Sequence, residues 1–388
     1  MQPLRGVRVL DLSQFLSGPR CGQILANLGA DVVKVEPPAG DTMRLLLTAT
    51  GSERGMHTIH AGKRGLMLDL RNDVDQRLFL RLVRVADILI DNFAPGVMDK
   101  LKLGYDELSV RNPRLIYVSI SGFGRTGPHS DRVAFDIISQ ATGGSMYANH
   151  QPDVPPGMFY GDLVSGAYAA LGALAALRTV ERTGQGQLVD ISMQDVVYYQ
   201  NFWGFLERTT EVDKDRMVGI LGVSMAQMLT DENNPMCFWN SYPTKDGYVV
   251  VVALTEKQWK CLAEATGLTT LTSDPQLADF VSRIRNSPRG IAVLAPWIAA
   301  HTSDEVIAVL TKARVPCGKV NNYDELKTDE QLRAREMLAE TTPAADGPIA
   351  IPGNPIKLSA HPWTAPKPGP SLNQHRGEIL KDWLGEEA

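Results

Sequence analysis

An aspartate that follows a tight glycine and opens a long apolar run can do one of two things. Here Phe159-Tyr160-Gly161-Asp162 leads into the helix-forming run Leu163 to Val180. The commoner role is an N-cap, in which the carboxylate accepts a hydrogen bond from a free N–H of the first turn. The other role is nucleophilic. A carboxylate can attack an acyl carbon, and nearby free backbone N–H groups can hold an oxyanion. Position alone favours the cap.

A nucleophile also needs rigid support. Gly166, Ala169, Ala170, Ala173 and Ala176 recur at helical spacing, which suits close packing of that helix against a neighbour. The run is too short and too mildly apolar to be expected to cross a bilayer. Upstream, Gly6 to Leu12 reads as a buried strand, and Ser17-Gly18-Pro19 as a helix start with Pro at the first helical position. A helix to Leu28 and a strand Asp31 to Glu36 complete a strand–helix–strand unit of the size of a parallel crossover. Further strands are expected at 65–70, 87–91, 115–121 and 188–192, with helices at 74–84 and 194–207. This alternation predicts an α/β domain with a parallel sheet.

With 388 residues the chain is long enough for two domains. A large domain with its linker is expected over 1–225 and a smaller α/β domain over 226–320. A Pro-rich return segment, 321–388, is expected to complete the large domain and to end in a helix at 374–384. Four methionines, Met217, Met225, Met228 and Met236, mark the stretch where the pattern loosens. They could line an adaptable apolar surface or simply pack the linker.

Composition excludes several classes. Hydrophobic residues make up 44% and charged residues 21%, as in ordinary globular proteins. The net charge of −5 and the absence of a basic block argue against nucleic acid as a partner. The four cysteines are scattered, with no Cys-x-x-Cys and no His nearby in sequence, so neither a disulfide framework nor a metal site is expected. That usage fits a reducing cytoplasm. The first fourteen residues lack the apolar core of a signal peptide, and no membrane partner is expected.

Gly122-Phe-Gly-Arg-Thr-Gly127 is a literal G-x-G-x-x-G after a strand. No acidic residue follows about twenty positions on in a second strand, and no clear helix continues from it. A nicotinamide or flavin site is therefore not expected, although the loop is well placed to face a ligand. Ser17 to Arg20 could receive an anion at a helix start or be plain capping. Lys63, Arg64, Arg71 and Lys100 could hold phosphates, but each alone reads as a solvated surface charge. Neither a Gly-x-Ser-x-Gly elbow nor a P-loop is present.

Taken in order, several segments resemble the class III CoA-transferase family, which includes formyl-CoA transferases, carnitine CoA-transferases and α-methylacyl-CoA racemases. The matching stretches are Gly6 to Ser13, Leu28 to Glu36, Asp91 to Met98, Leu103 to Leu108, Ser121 to Gly124, Ala134 to Asp136, Gly161-Asp162, Thr183 to Gln187 through Asp195, and Val315 to Asn321. The resemblance implies a Rossmann-like large domain, an interlocked homodimer, coenzyme A as acyl-CoA substrate, and a carboxylic acid as second substrate. It makes Asp162 the covalent nucleophile, with no metal and no NAD. Backbone N–H groups after Asp162, or in the Gly122–Gly127 loop, would then hold the oxyanion. Asp136, Leu16 and Gly124 are implied as active-site support. By matched position, CoA contacts are implied for Phe15, Ser17, Leu68, Arg71, Asn92, Phe93, Lys100, Arg132, Phe135 and Met193.

The chain departs from its relatives in ways that bear on substrate. The formyl-CoA transferases carry Gln where Leu16 stands and Arg where Pro37 stands, and no glycine run lies between Gly222 and Gly247. An oxalate or formyl substrate is therefore not expected, and a medium-sized, partly apolar acid is. The racemases carry a His where Phe135 stands. Phe cannot carry a proton, so the racemase or isomerase alternative loses one of its two bases. A catalytically silent CoA-binding subunit is the remaining alternative, and the presence of Asp162 weighs against it.

Overall fold

The structure, a computed structural model, describes residues 2–49, 53–148, 153–154, 156–201, 218–220, 236–341 and 347–386. The expected domain boundary at 225/226 lies outside the described residues, as do Met217, Met225 and Met228. The helix expected at 194–207 is described as Met193–Gln200, and its later residues fall outside. The chain divides into two compact units. The first comprises 1–145, 155–200 and 329–388, and the second 146–154 and 201–328.

In the first unit six strands form one parallel sheet. They are β1 (Arg8–Asp11), β2 (Asp31–Glu36), β3 (Arg64–Met67), β4 (Ile88–Asp91), β5 (Ile116–Ser121) and β6 (Leu188–Ser192). Their order is β3-β2-β1-β4-β5-β6. Val9 lies between Val32 on β2 and Ile88 on β4, all in parallel register. Alternate residues build the two faces, as the period of two in a strand requires. Val9, Val32, Ile88, Ile90, Val118 and Ile120 pack with Cys21 and Leu25 of the helix Ser17–Asn27 and with Ala169, Ala173 and Ala176. Leu10, Val33, Val35, Leu66, Leu89 and Tyr117 face the other way, against Phe79, Leu82, Ile379 and Trp383. Near-continuous apolar strands of this kind belong in a sheet covered on both sides. The chain winds outward from β1 in both directions, so the sheet has a switch point between β1 and β4. Ligands of open α/β sheets gather at the carboxyl ends of strands there.

The helix carrying Asp162 runs Tyr160–Thr183, three residues longer at each end than expected. The helix has 24 residues and its most apolar 18-residue window reaches a mean hydropathy of 1.5, so by length and composition alone it could cross a membrane, which corrects the expectation that the run is too short and too mild. Its small-residue face, Gly166, Ala169, Ala170, Ala173 and Ala176, is buried. Gly166 shows why small residues are needed. A Cβ there would stand 2.4 Å from Ser17 O and 2.7 Å from Arg20 Cβ, so the two helices meet backbone to backbone.

The outer edge of β3 is closed by the C-terminal segment. His375 N donates to Gly65 O at 3.0 Å, Gly65 N to His375 Nδ1 at 3.1 Å, and Met67 N to Asn373 Oδ1 at 2.9 Å. A helix Arg376–Leu384 then buries Ile379 and Trp383. The second unit has its own core around the antiparallel strands Trp239–Pro243, Tyr248–Val252 and Cys317–Lys319. Met236 is buried in that core. Helices Glu256–Thr266 and Ser303–Lys312 both open on full capping boxes, Thr255 with Gln258 and Thr302 with Glu305.

Candidate active site

A cavity of about 380 Å³ opens at the switch point. It is lined by the loop after β1 (Gln14, Phe15, Ser17), the loop after β4 (Asn92 to Pro95), the end of β5 with Gly122, the segment Arg132 to Phe135, Met193 and Asp162. Among these lining residues Asp162 is the one acid and Arg132 the one base. The Arg132 guanidinium lies over the Phe123 ring, 4.8 Å from its centroid.

One side chain ties the two loops together. Asn92 Oδ1 accepts from Gln14 N at 2.7 Å, and its Nδ2 donates to Gln14 O at 2.7 Å and to Ser17 Oγ at 3.0 Å. An amide has two donors and an acceptor, so Asn92 satisfies both main-chain groups of Gln14 with one group. The next residue, Phe15, has φ of 60°, in the left-handed region where a side chain costs about 1 kcal/mol or more. That conformation stands its ring edge-on to Phe135, with centroids 5.4 Å apart. Phe135 is 64% exposed, an apolar ring at the cavity rim.

Asp162 lies within the first turn of its helix and is not its cap. The N-cap is Phe159, whose side chain makes no capping bond. The cap comes from another element, because Asp136 Oδ1 accepts the Asp162 N–H at 3.0 Å. Gly161 permits this approach: a Cβ there would stand 2.2 Å from Ser139 Oγ and 3.1 Å from Asp136 Oδ1. The Asp162 carboxyl is pushed up to about 6, by burial first and by the neighbouring Asp136 charge second, while a hydrogen bond from the Ser17 hydroxyl opposes the rise.

Several N–H groups expected to hold an oxyanion are already used. Leu163 N donates to Phe159 O at 3.0 Å, Gly124 N to Ser121 Oγ at 3.0 Å, and Arg125 N to Asp190 Oδ2 at 3.0 Å. Early helical N–H groups find partners wherever the chain supplies them, and here it does.

Beneath the helix Ser17–Asn27 lies a buried ionic cluster that the sequence does not reveal. Lys63, read from sequence as a surface charge, is 3% exposed. Its Nζ lies 2.7 Å from Asp11 Oδ2 and donates to Pro19 O at 2.9 Å. Asp11 in turn accepts from the Ser13 hydroxyl and from Ser13 N. Lys34 pairs with Asp41, and Arg44 grips Glu36 through two bonds of 2.9 Å. Together these pairs fix the loop 11–19 from below.

A family model described as CoA-transferase family III matches residues 4–376. The chain belongs to the class III CoA-transferase family. It is 38% identical over 408 residues to a succinyl-CoA:mesaconate CoA-transferase of Haloarcula hispanica, with 98% of this chain and 96% of that protein covered. It is 34% identical to a succinyl-CoA–D-citramalate CoA-transferase of Chloroflexus aurantiacus, with 99% and 94% covered. A crystal structure of a CAIB/BAIF family protein from Brucella suis aligns at TM-score 0.81 and 31% identity, over 98% of this chain and 99% of that one. The protein is therefore an enzyme that handles CoA thioesters and carboxylates.

In this CoA-transferase the residues implied by resemblance fall into two groups. Phe15, Ser17, Asn92, Phe93, Arg132, Phe135, Met193 and Asp162 all line the one cavity. Leu68, Arg71, Lys100, Leu16, Gly124 and Asp136 are not among its lining residues. Leu68 is buried in the core beside β3, and Arg71 is exposed and pairs with Asp69. Lys100 ends the short helix Val97–Lys100 and is exposed. Leu16 precedes the helix Ser17–Asn27, where it is the N-cap residue. Gly124, at φ 79°, turns the chain after β5. Two glutamines stand at or beside the site with no sequence motif to mark them. Gln14 lines the cavity, and Gln140 holds Asp136. Isolated Gln residues carry no motif, and only the fold brings these two to the site. Among the described residues no group of three or more His, Cys, Asp or Glu is arranged to hold a metal ion.

Proposed function

We propose that this enzyme moves CoA from a donor acyl-CoA to an acceptor acid through a covalent intermediate on Asp162. The observation that carries this reading is the Asp162 carboxylate, the one acid on the cavity at the switch point. Its carboxylate attacks the thioester carbonyl, the C–S bond breaks, and CoA leaves as a thiolate from a mixed aspartyl anhydride. The thiolate then attacks Cγ of Asp162, which forms an aspartyl-CoA thioester and releases the donor acid. The acceptor carboxylate attacks the same Cγ and expels the thiolate. The thiolate finally attacks the acceptor's acyl carbon, giving the new acyl-CoA and free Asp162. Each step conserves the acyl activation, so no ATP is consumed. A carboxyl pushed up to about 6 is ionised at neutral pH and more basic than a free aspartate, which favours attack.

The acceptor is a medium-sized, partly apolar acid. Phe15 and Phe135 supply an apolar rim, which favours an acid with a carbon chain to lay against it over oxalate, which has none. Two relatives are named for succinyl-CoA, which makes it the donor to try first. Incubation with succinyl-CoA and each of oxalate, mesaconate and a branched acid tests both parts. Mass spectrometry of the peptide bearing Asp162 should show a CoA adduct, and mesaconate or the branched acid should exceed oxalate in kcat/KM. An unmodified peptide under turnover rejects the covalent route, and oxalate as best acceptor rejects the pocket assignment.

The active form is a homodimer in the cytoplasm. The four free cysteines, two of them buried, suit a reducing compartment. Light scattering at micromolar concentration should report twice the chain mass, and a monomer there would refute the dimer.

A further inference from the structure

Asp136 and Gln140 stand one turn apart on the helix Asp136–Thr142, at 6% and 3% exposure. Gln140 Nε2 donates to Asp136 Oδ2 at 2.6 Å and to Met158 O at 2.9 Å. Its Oε1 faces the Ser145 hydroxyl at 3.4 Å. A flipped amide would set Oε1 against two acceptor oxygens, so the donor side is fixed toward the acid. Asp136 Oδ1 meanwhile accepts the Asp162 N–H. Both donors to Asp136 are neutral, so its charge stays uncancelled beside the Asp162 carboxylate.

Other charged groups near the site are turned elsewhere. On the helix Ser17–Asn27, Ser17 faces Asp162 with a hydroxyl, and the Arg20 guanidinium donates to Gln23 Oε1 at 2.7 Å. Arg132 lies over Phe123. On the asparagine-bearing loop after β4, Asn92 is neutral, and on Met193–Gln200 Met193 lines the cavity while Asp195 and Tyr199 lie further along. On Asp162's own helix, Tyr160 is pushed upward by burial and is neutral at working pH. Of all these, Asp136 is the charge whose field acts on Asp162.

We propose that Asp136, clamped by Gln140, is a positioning residue for Asp162: one oxygen fixes the Asp162 main chain at the helix start, and its charge makes the facing carboxylate a stronger attacking group. The value of the second part rests on the covalent route above. A weakly basic carboxylate is a poor nucleophile, and reactivity rises with basicity. A buried like charge raises basicity without adding a group that competes for the substrate.

The test reads Asp162 with and without turnover. Protein labelled with carboxyl-¹³C aspartate is titrated by NMR in the free enzyme, and the Asp162 signal is the one lost in D162N. In D136N the Asp162 midpoint should fall by about one pH unit or more, since one carboxylate neighbour is removed. The acid limb of kcat/KM should fall with it, and kcat at neutral pH should drop about tenfold with KM changed less than about twofold. Q140M keeps side-chain volume but removes the clamp. It should move the midpoint the same way by a smaller amount, and it carries the test if D136N does not fold. A midpoint that stays in place in the folded variant overturns the proposal, whatever happens to activity. The titration needs no turnover, so failure of this coupling is distinguishable from failure of the covalent route.

Discussion

Asp162→Ala will lose at least about three orders of magnitude in transfer rate, because removing the attacking group closes the covalent route altogether. Hydroxylamine should inactivate the native enzyme only after acyl-CoA is added, since only then does an activated aspartyl carbonyl exist. Near-normal transfer by the alanine variant would defeat the assignment. Asp162→Asn should be equally inactive and yet more stable. The sign follows from the carboxyl, which titrates near 3.8 when unfolded and near 6 when folded. Between those values the folded state keeps a proton that the unfolded state releases. Stability therefore falls as pH rises through that window, and above it the full cost of the buried charge is present. The amide carries no such charge, so at neutral pH the variant should gain up to about 3 kcal/mol, with the gain vanishing below pH 4. Urea unfolding at pH 4 and 7.5 measures this, and a loss of stability at pH 7.5 would contradict it. That pair of results would set activity against stability at this residue, the trade-off expected where a reactive charge is kept out of water.

Lys63→Met should cost about 3–5 kcal/mol, the usual penalty for leaving one member of a buried ion pair without its partner. Lys63 and Asp11 are both fully screened from solvent at the side chain. Without the ammonium, Asp11 keeps only bonds from Ser13, and Pro19 O loses its donor. The double variant Asp11→Leu with Lys63→Met should be less damaged than Lys63→Met alone, because no charge is then stranded. Equilibrium denaturation of the four proteins checks both statements. A loss under about 1 kcal/mol in Lys63→Met would mean that water reaches the pair.

The strands were legible because their apolar runs are long relative to their length. Arg-Val-Leu-Asp at β1, with Val7 just before it, and Asp-Val-Val-Lys-Val-Glu at β2 leave little else to choose. Nothing in the β2 run itself shows that its charged members Lys34 and Glu36 are buried, because Asp41 and Arg44 arrive from the next segment to meet them. The length of the Asp162 helix was misjudged for a related reason. Its start is fixed by Asp136, which stands 26 residues earlier in the chain, and no local signal at Phe159 announces a cap. Family resemblance supplied Asp162 and much of the cavity wall. It did not distinguish Lys100 and Arg71, which are away from that wall, from Arg132, which is on it. Long flexible cations carry no mark in sequence of where their ends will point.

The closure of β3 by the last turns of the chain has a consequence for biosynthesis. Gly65 and its partner His375 are separated by 310 residues. While the ribosome is still making the middle of the protein, the β3 edge of the sheet has open N–H and C=O groups and no Trp383 to cover the face beside it. At about 5–20 residues per second that interval lasts on the order of 15–60 s. An unpaired strand edge is a template for another chain, so nascent copies on one polysome are the most exposed to mispairing. The first unit to emerge is thus among the last to be finished, and its sheet edge stays open until the segment 373–376 is free to dock.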